Sequence, residues 1–251
     1  MSQIPVGLQL YSVREDCAKD LPGVLEAVSD MGYDGVEFAG YHGFDAPTLR
    51  RMLDDNGLSC CGTHIGLDSL TADRFAETTD FHKTIGCQFL IVPWIDQNDR
   101  QSAADWLRLA DRFNEASDRA TAAGFRVGYH NHNFEFVPID GHVPWDIFFS
   151  NTKPEVIMQF DTANALSAGA RATDYLRRYP GRAITVHLKE HSATNDKALL
   201  GEGDVPWAEV LELCQTVGGT QWYVVEQESY ALPPMECVRV CLKNLREMLE
   251  G

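Results

Sequence analysis

The sequence predicts an α/β fold, a single closed (β/α)8 barrel of the TIM type over residues 1–251, on three observations. Eight short runs rich in β-branched and aromatic residues alternate with longer amphipathic stretches, and no linker-like Ser/Pro/Gly tract interrupts them. The repeat averages about 31 residues, which suits a barrel of typically about 250 residues. Polar side chains recur near the C-terminal ends of seven of the eight runs.

The candidate strands are Val6 to Leu10, Gly35 to Phe38, Leu58 to Ile65, Gln88 to Pro93, Arg126 to His130, Val156 to Phe160, Ala183 to Leu188 and Trp222 to Glu226. Between them the helical period shows in Leu21-Val24-Leu25-Val28 and in Trp106-Leu107-Leu109-Ala110-Phe113-Ala116; Cys237 to Leu249 closes the chain. An open doubly wound sheet is the competing architecture, and when it binds a dinucleotide it carries G-x-G-x-x-G after its first strand. The first strand instead runs into Tyr11-Ser12-Val13-Arg14. Parity supports a barrel, whose outward strand residues should be bulky and apolar. Ile184, Val186 and Leu188 alternate with Thr185, His187 and Lys189; Val156, Met158 and Phe160 alternate with Gln159 and Asp161; Val36 and Phe38 flank Glu37. The inward set, Gln9, Glu37, His64, the His/Asn cluster at 130–133, Asp161, His187 and Glu226, would then ring one mouth, where βα loops build active sites.

Composition narrows the functions. A net charge of -16, from 37 acidic and 21 basic side chains, repels phosphate backbones and anionic lipid. No nucleic-acid or membrane partner is therefore expected. No apolar run reaches the roughly 18 residues of a membrane span, and the MSQIPVGLQL start shows no signal peptide, so a cytoplasmic location is expected. The seven cysteines, 17, 60, 61, 87, 214, 237 and 241, form no C-x-x-C pair and should be reduced and mostly buried.

Four side chains at or just after strands five to eight suit one divalent cation: Glu135, Asp161, His187 and Glu226. Three carboxylates and an imidazole favour Mn²⁺, Mg²⁺ or Co²⁺, with Zn²⁺ also compatible. The run His187-Leu188-Lys189-Glu190-His191 matches H-x-x-E-H, but that peptidase pattern needs a helix and this segment reads as a strand. His130 and His132, at i and i+2, could bind metal, act as acid/base groups or simply order the loop. Lys189 could hold a substrate oxygen or form a Schiff base, and its carboxylate company favours the electrostatic role. Gly201-Glu202-Gly203 reads equally as a loop closing over substrate or as a polar turn. Trp94 and Trp207 could line the pocket, make a subunit contact or pack in the core. Arg182 starts strand seven, at the end away from catalysis, where it should pair with an acidic neighbour.

The order and spacing of GLQLYSVRE, MGYDGVEFAGYHG, THIGL, GFRVGYHNHNFEF, QFDTANAL, RYPGRAITVHLKEH, GEGDVPW and WYVVEQES resemble the sugar phosphate isomerase/epimerase family of xylose-isomerase-like TIM barrels. That superfamily also holds endonuclease IV and the inosose and dehydroshikimate dehydratases. The resemblance implies a divalent-metal site, Mn²⁺ first, and chemistry on a carbonyl-bearing sugar or polyol. It implies metal ligation by Asp161, His187 and Glu226. Ketose epimerases of the superfamily carry a ligating Glu at the end of strand five and a second acidic residue six positions on. This chain has Tyr129 and Glu135 there, so the fourth ligand is Glu135, or else His130 or His132. The expected activity is a metal-dependent isomerase or epimerase that abstracts a proton α to a carbonyl through an enediolate. The alternative is a lyase or dehydratase acting on a keto-inositol, a dehydroshikimate-like acid or a 3-keto-glycoside. Glu226 or His132 would be the base, with His130 and Lys189 assisting, and His64, Glu37, Gln9 and Glu202 meeting the substrate. Phosphodiester hydrolysis is disfavoured by the charge, and a non-catalytic sugar-binding barrel by the intact acidic set. The resemblance also implies a homo-oligomer, as dimers and tetramers are common in the family.

Overall fold

The computed structural model describes residues 4–250 and forms a closed barrel of eight parallel strands in sequential order. These are β1 (Val6–Gln9), β2 (Gly35–Phe38), β3 (Ser59–His64), β4 (Phe89–Val92), β5 (Arg126–His130), β6 (Ile157–Asp161), β7 (Thr185–Leu188) and β8 (Trp222–Val225). The helices are α1 (Arg14–Met31), α2 (Ala46–Asp55), α3 (Phe75–Ile85), α4 (Ala103–Ala122), α5 (Pro144–Asn151), α6 (Thr162–Ser167), α7 (Ala172–Arg178), α8 (Trp207–Leu213) and α9 (Pro234–Glu250). None is long and apolar enough to cross a membrane. All seven cysteines are buried free thiols, as expected.

Strand parity sorts the side chains. Outward residues such as Leu8, Val36, Phe38, Met158, Phe160, Val186 and Leu188 join the main core between sheet and helices. Its densest part surrounds Tyr129, which packs on Trp106, Phe113, Trp145 and Phe148 with ring centroids 5.2–6.2 Å away. Inside the barrel, Phe89, Ile91, Ile157 and Ile184, backed by Trp222, form a separate apolar plug. Ile184 thus departs from its expected outward position. It precedes the first paired residue of β7, so the alternation that governs Val186 and Leu188 does not bind it. The plug is tight enough to require glycine on β5: a Cβ on Gly128 would sit 2.6 Å from Ile91 Cδ1 and 2.8 Å from Ile157 Cβ.

Arg182 lies before β7 at the end of the barrel away from the mouth, as expected, but without an acidic partner. Its buried guanidinium donates to the carbonyls of Phe149, Lys153 and Val156 and to the Thr152 hydroxyl. A cation suits this place because the Phe149 carbonyl lies in the last turn of α5, the negative pole of the helix. Burial lowers its pKa to about 10.

Candidate metal centre and substrate cavity

Above the plug the inward residues turn polar, layer by layer. The lower layer is organised by Glu37, whose side chain is completely buried. A bulge between Val36 and Glu37 shifts the β2–β3 register, and Gly62 leaves room for the carboxylate, since a Cβ there would stand 3.0 Å from Oε2. Glu37 accepts from Gln9 Nε2 at 3.2 Å and Gln159 Nε2 at 2.7 Å, and lies 3.0 Å from His64 Nε2. His187 closes the group, with Nε2 donating to Glu37 Oε1 at 3.1 Å and Nδ1 to Glu226 Oε2 at 2.9 Å. Carboxylates at both ring nitrogens require a proton on each. Burial opposes that charge, but Glu37 and Glu226 outweigh it and raise the His187 pKa to about 10. Reciprocally, burial would raise the Glu37 carboxyl, yet His64 and His187 hold it well below the usual range.

In the upper layer, His130, Asp161, His187 and Glu226 each offer a ligand atom within 4.8 Å of the others. Register explains the meeting, because Asp161 pairs with His187 across β6 and β7, and His130 sits beside Gln159 on the neighbouring strand. Asp161 also caps α6: Oδ1 accepts from Asn164 N at 2.6 Å. Its Oδ2 is buried and unpartnered, as is His130 Nδ1. Burial raises the Asp161 pKa, against the pull of the Lys189 ammonium 3.9 Å away. Burial lowers that of His130 well below the ordinary imidazole value. Two carboxylates and two imidazoles around an orphaned carboxylate oxygen suit a divalent cation of the Mn²⁺ or Zn²⁺ kind; on loading, His187 would give up the Nδ1 proton it shares with Glu226 while Nε2–H stays on Glu37, so the chemistry of the donor set fits the group the resemblance implies. Lys189 stands beside the cluster, bonded to Glu228 and Asn164 and 3.9 Å from Glu226, and these acidic neighbours hold its pKa up despite burial.

A cavity of about 440 Å³ opens above this floor, lined by His64, His130, His132, Asn164, Glu226 and Glu228 together with Tyr11, Ala39, Pro93 and Trp94. His132 Nδ1 is buried and unpartnered, and burial lowers the His132 pKa to about 4.

The structure does not bring Glu135 into the cluster. Its carboxylate points outward, where Oε1 accepts from Tyr129 OH at 2.6 Å and Oε2 from the His132 backbone N–H at 2.9 Å. His130 takes the fourth place in the cluster, as the alternative reading allowed. Burial raises the Glu135 pKa to about 7. Glu37 and Gln9 are buried and do not line the cavity; Glu37 pairs with His187 and His64, and Gln9 Nε2 lies 3.4 Å from His64 Nδ1. Glu202 is exposed and its carboxylate accepts from Leu199 N, within a turn. That turn is tied back by Glu190, which accepts from Gly201 N, Val205 N and Trp207 Nε1. Gly201-Glu202-Gly203 is a polar turn, Trp207 is buried, and only Trp94 of the two tryptophans reaches the cavity. Sequence reasoning gave no role to Gln159 or Glu228. Gln159 was legible, lying two residues before Asp161 and so on the same face of β6, whereas Glu228 lies past the end of β8, where strand parity gives no guide.

The profile of the xylose isomerase-like TIM barrel family matches residues 25–248. The chain is 26% identical over 245 aligned residues to an inosose dehydratase of Serratia proteamaculans, covering 81% of this chain and 82% of that one. Two crystal structures of sugar phosphate isomerase/epimerase proteins from Parabacteroides distasonis superpose on it. One has a TM-score of 0.84 at 25% identity, covering 96% of this chain and 97% of that one. The other has a TM-score of 0.85 at 21% identity, covering 98% and 97%.

Proposed function

Since the chain belongs to the xylose isomerase-like TIM barrel family, we propose that it is a divalent-metal-dependent enzyme that removes a proton α to a carbonyl of a sugar or cyclitol. The observation that carries this reading is the cluster of His130, Asp161, His187 and Glu226, with its buried, unpartnered Asp161 oxygen, on the floor of a polar cavity. These four residues would hold the cation. When bound, it would act as a Lewis acid toward the carbonyl, worth several kcal/mol of transition-state stabilisation. His132 is the base: its Nδ1 has no partner in the fold and its ring lines the cavity. Asn164 orients a substrate oxygen, Lys189 holds Asn164 from behind by donating to its Oδ1, and His64 contacts a hydroxyl from the β3 side.

Among the described residues no Lys or Arg lines the cavity. Lys189 stands behind the lining, engaged by acidic partners. This supports an uncharged substrate over a phosphorylated one, because a phosphate would meet Glu226 and Glu228 without a free cation.

Proton return to the enediolate makes the enzyme an isomerase or epimerase; expulsion of a β-leaving group makes it a lyase. The similarity to an inosose dehydratase favours keeping the second reading. The test is solvent exchange: Mn²⁺-loaded protein in D₂O with ketohexoses, inosose and 3-keto-glucosides, followed by NMR. Deuterium at the α-carbon of a rearranged sugar supports the isomerase, and loss of water or an aglycone supports the lyase. Exchange that survives Asp161→Ala refutes the assigned cluster.

A further inference from the structure

The cavity is larger than the reaction needs. At about 30 Å³ per water, a hexose or cyclitol with the bulk of roughly six waters fills ~180 Å³, less than half of the 440 Å³ available. Trp94, the upper marker of the wall, is reached from the floor through a ladder of rings. His187 to His130 is 4.5 Å between centroids, His130 to His132 is 5.3 Å and His132 to Trp94 is 5.0 Å. Trp94 is therefore three ring contacts removed from His187 on the floor.

The mouth is furnished for a second ring. Six large apolar side chains are exposed among the described residues, and the two aromatic ones both line this cavity: Trp94 at 52% and Tyr11 at 43% exposure. They follow β4 and β1, which stand nearly opposite each other around the eight-stranded ring. Neither is a loose side chain. Trp94 packs edge-to-face on Phe134 at 5.3 Å, and Arg100 lies over its ring at 5.2 Å while donating to the Ile95 carbonyl. Tyr11 is backed by the Arg14 guanidinium, 4.5 Å from the ring centroid, which is itself fixed by hydrogen bonds to Tyr11 O and Tyr230 OH. Two exposed aromatic surfaces, each pinned by an arginine, form a platform that loses little conformational freedom on binding. Aromatic faces of this kind bury the C–H face of a pyranose or an aryl group, and Glu228, in the same lining, accepts hydroxyls.

We propose that the substrate carries a second ring, as a disaccharide or an aryl glycoside, with the reacting ring on the His130/Asp161/His187/Glu226 floor and the second between Trp94 and Tyr11. This rests on the reading of the floor as the reacting centre, and the two can fail separately. The experiment is calorimetric titration of the metal-loaded protein with matched ligands: methyl β-glucoside, phenyl β-glucoside and cellobiose, and the corresponding galactosides. Expected is a two-ring ligand binding about tenfold more tightly than its own one-ring parent, with the ratio falling below about threefold in Trp94→Ala or Tyr11→Ala. Two-ring ligands that bind no more tightly than their parents, or show no binding at millimolar concentration, overturn the second subsite. So does a ratio that both variants leave intact. Asp161→Asn separates the failures: if it leaves one-ring binding unchanged, the floor is misassigned, whatever the ratio shows.

Discussion

Glu37 does not line the cavity, yet replacing it should weaken metal binding. Its buried carboxylate is the fixed point against which His187 is oriented, and it also receives Gln9, Gln159 and His64. In Glu37→Gln one oxygen becomes an NH₂ that faces donors, and the side chain no longer balances the His187 imidazolium. Carboxylates that orient a metal-bound histidine typically contribute 10–100-fold to affinity. A glutamine can still accept from Nε2, so the lower end is expected: a loss of about tenfold, or about 1.4 kcal/mol. The fold should weaken as well, by about 3–5 kcal/mol, the cost of breaking a buried ion pair by removing one partner. Mn²⁺ titration against a competing chelator measures the first quantity, and urea denaturation of metal-free protein the second. A variant that binds Mn²⁺ within about twofold of wild type, but binds one-ring sugars more weakly, would refute this reasoning and return Glu37 to the role of substrate contact expected from sequence.

Glu135→Gln should keep Mn²⁺ affinity unchanged, because the carboxylate serves Tyr129 and the His132 backbone; a tenfold loss in the same titration would make Glu135 a ligand after all. The variant should also change the pH dependence of stability. A carboxyl whose pKa rises from 4.5 unfolded to about 7 folded stabilises the fold fully below about pH 4.5 and loses that contribution as pH rises through 7. Wild type should thus lose about 3 kcal/mol relative to the variant between pH 4.5 and 8, and parallel denaturation curves would contradict this. His82 has the opposite sign. Its Nδ1 bonds Thr78 O and its Nε2 the Tyr41 hydroxyl, and burial lowers its pKa, so its contribution is present above about pH 6.5 and declines as pH falls. His82→Gln should flatten the acid limb of stability, and an unchanged limb would place the acid sensitivity elsewhere. Gly128→Ala should cost about 1–3 kcal/mol by forcing a methyl into Ile91 and Ile157, lowering the melting temperature by about 2–4 °C per kcal/mol; an unshifted melt would show that the plug can yield.

The barrel was legible because its signal is periodic. Eight apolar runs and their alternation brought Asp161, His187 and Glu226 to one mouth without any long-range information. The structure departs from the expected placements where periodicity stops. Glu135 lies beyond the end of β5, in a 3-10 turn over Phe134–Phe136 that swings its side chain to Tyr129 outside the barrel, and strand parity cannot follow a chain through such a turn. Glu202 failed in the same way, in a turn tied back by Glu190. Arg182 shows a different limit: the sequence supplied a charge, and the expectation of an opposite charge was natural, but backbone carbonyls of Phe149 in the last turn of α5 and of Lys153 and Val156 in the loop after it supplied the partners. Depth within the barrel was also invisible. Glu37 and Glu226 share an inward direction, yet one lies beneath the cavity and the other on its wall, a difference set by strand stagger and by the bulge before Glu37.

The layering gives that depth a physical sense. Ionised side chains in a barrel interior carry a large desolvation cost unless they are paired. In the lower polar layer the cost is met, since Glu37 has nitrogen donors from four side chains, and the plug beneath it closes the barrel with aliphatic and aromatic contacts. The upper layer is left incomplete, with Asp161 Oδ2, His130 Nδ1 and His132 Nδ1 buried and unpartnered within one small volume. Orphaned groups of this kind destabilise a fold by about 1–3 kcal/mol each, so a barrel selected only for stability would pair them or replace them with apolar residues. Their concentration at the C-terminal mouth, directly above a fully satisfied layer, is what a site needs if cation and substrate are to supply the missing partners. The satisfied layer keeps the unsatisfied one in place: Glu37 holds the His187 ring through Nε2, which leaves Nδ1 facing Glu226 and the upper layer.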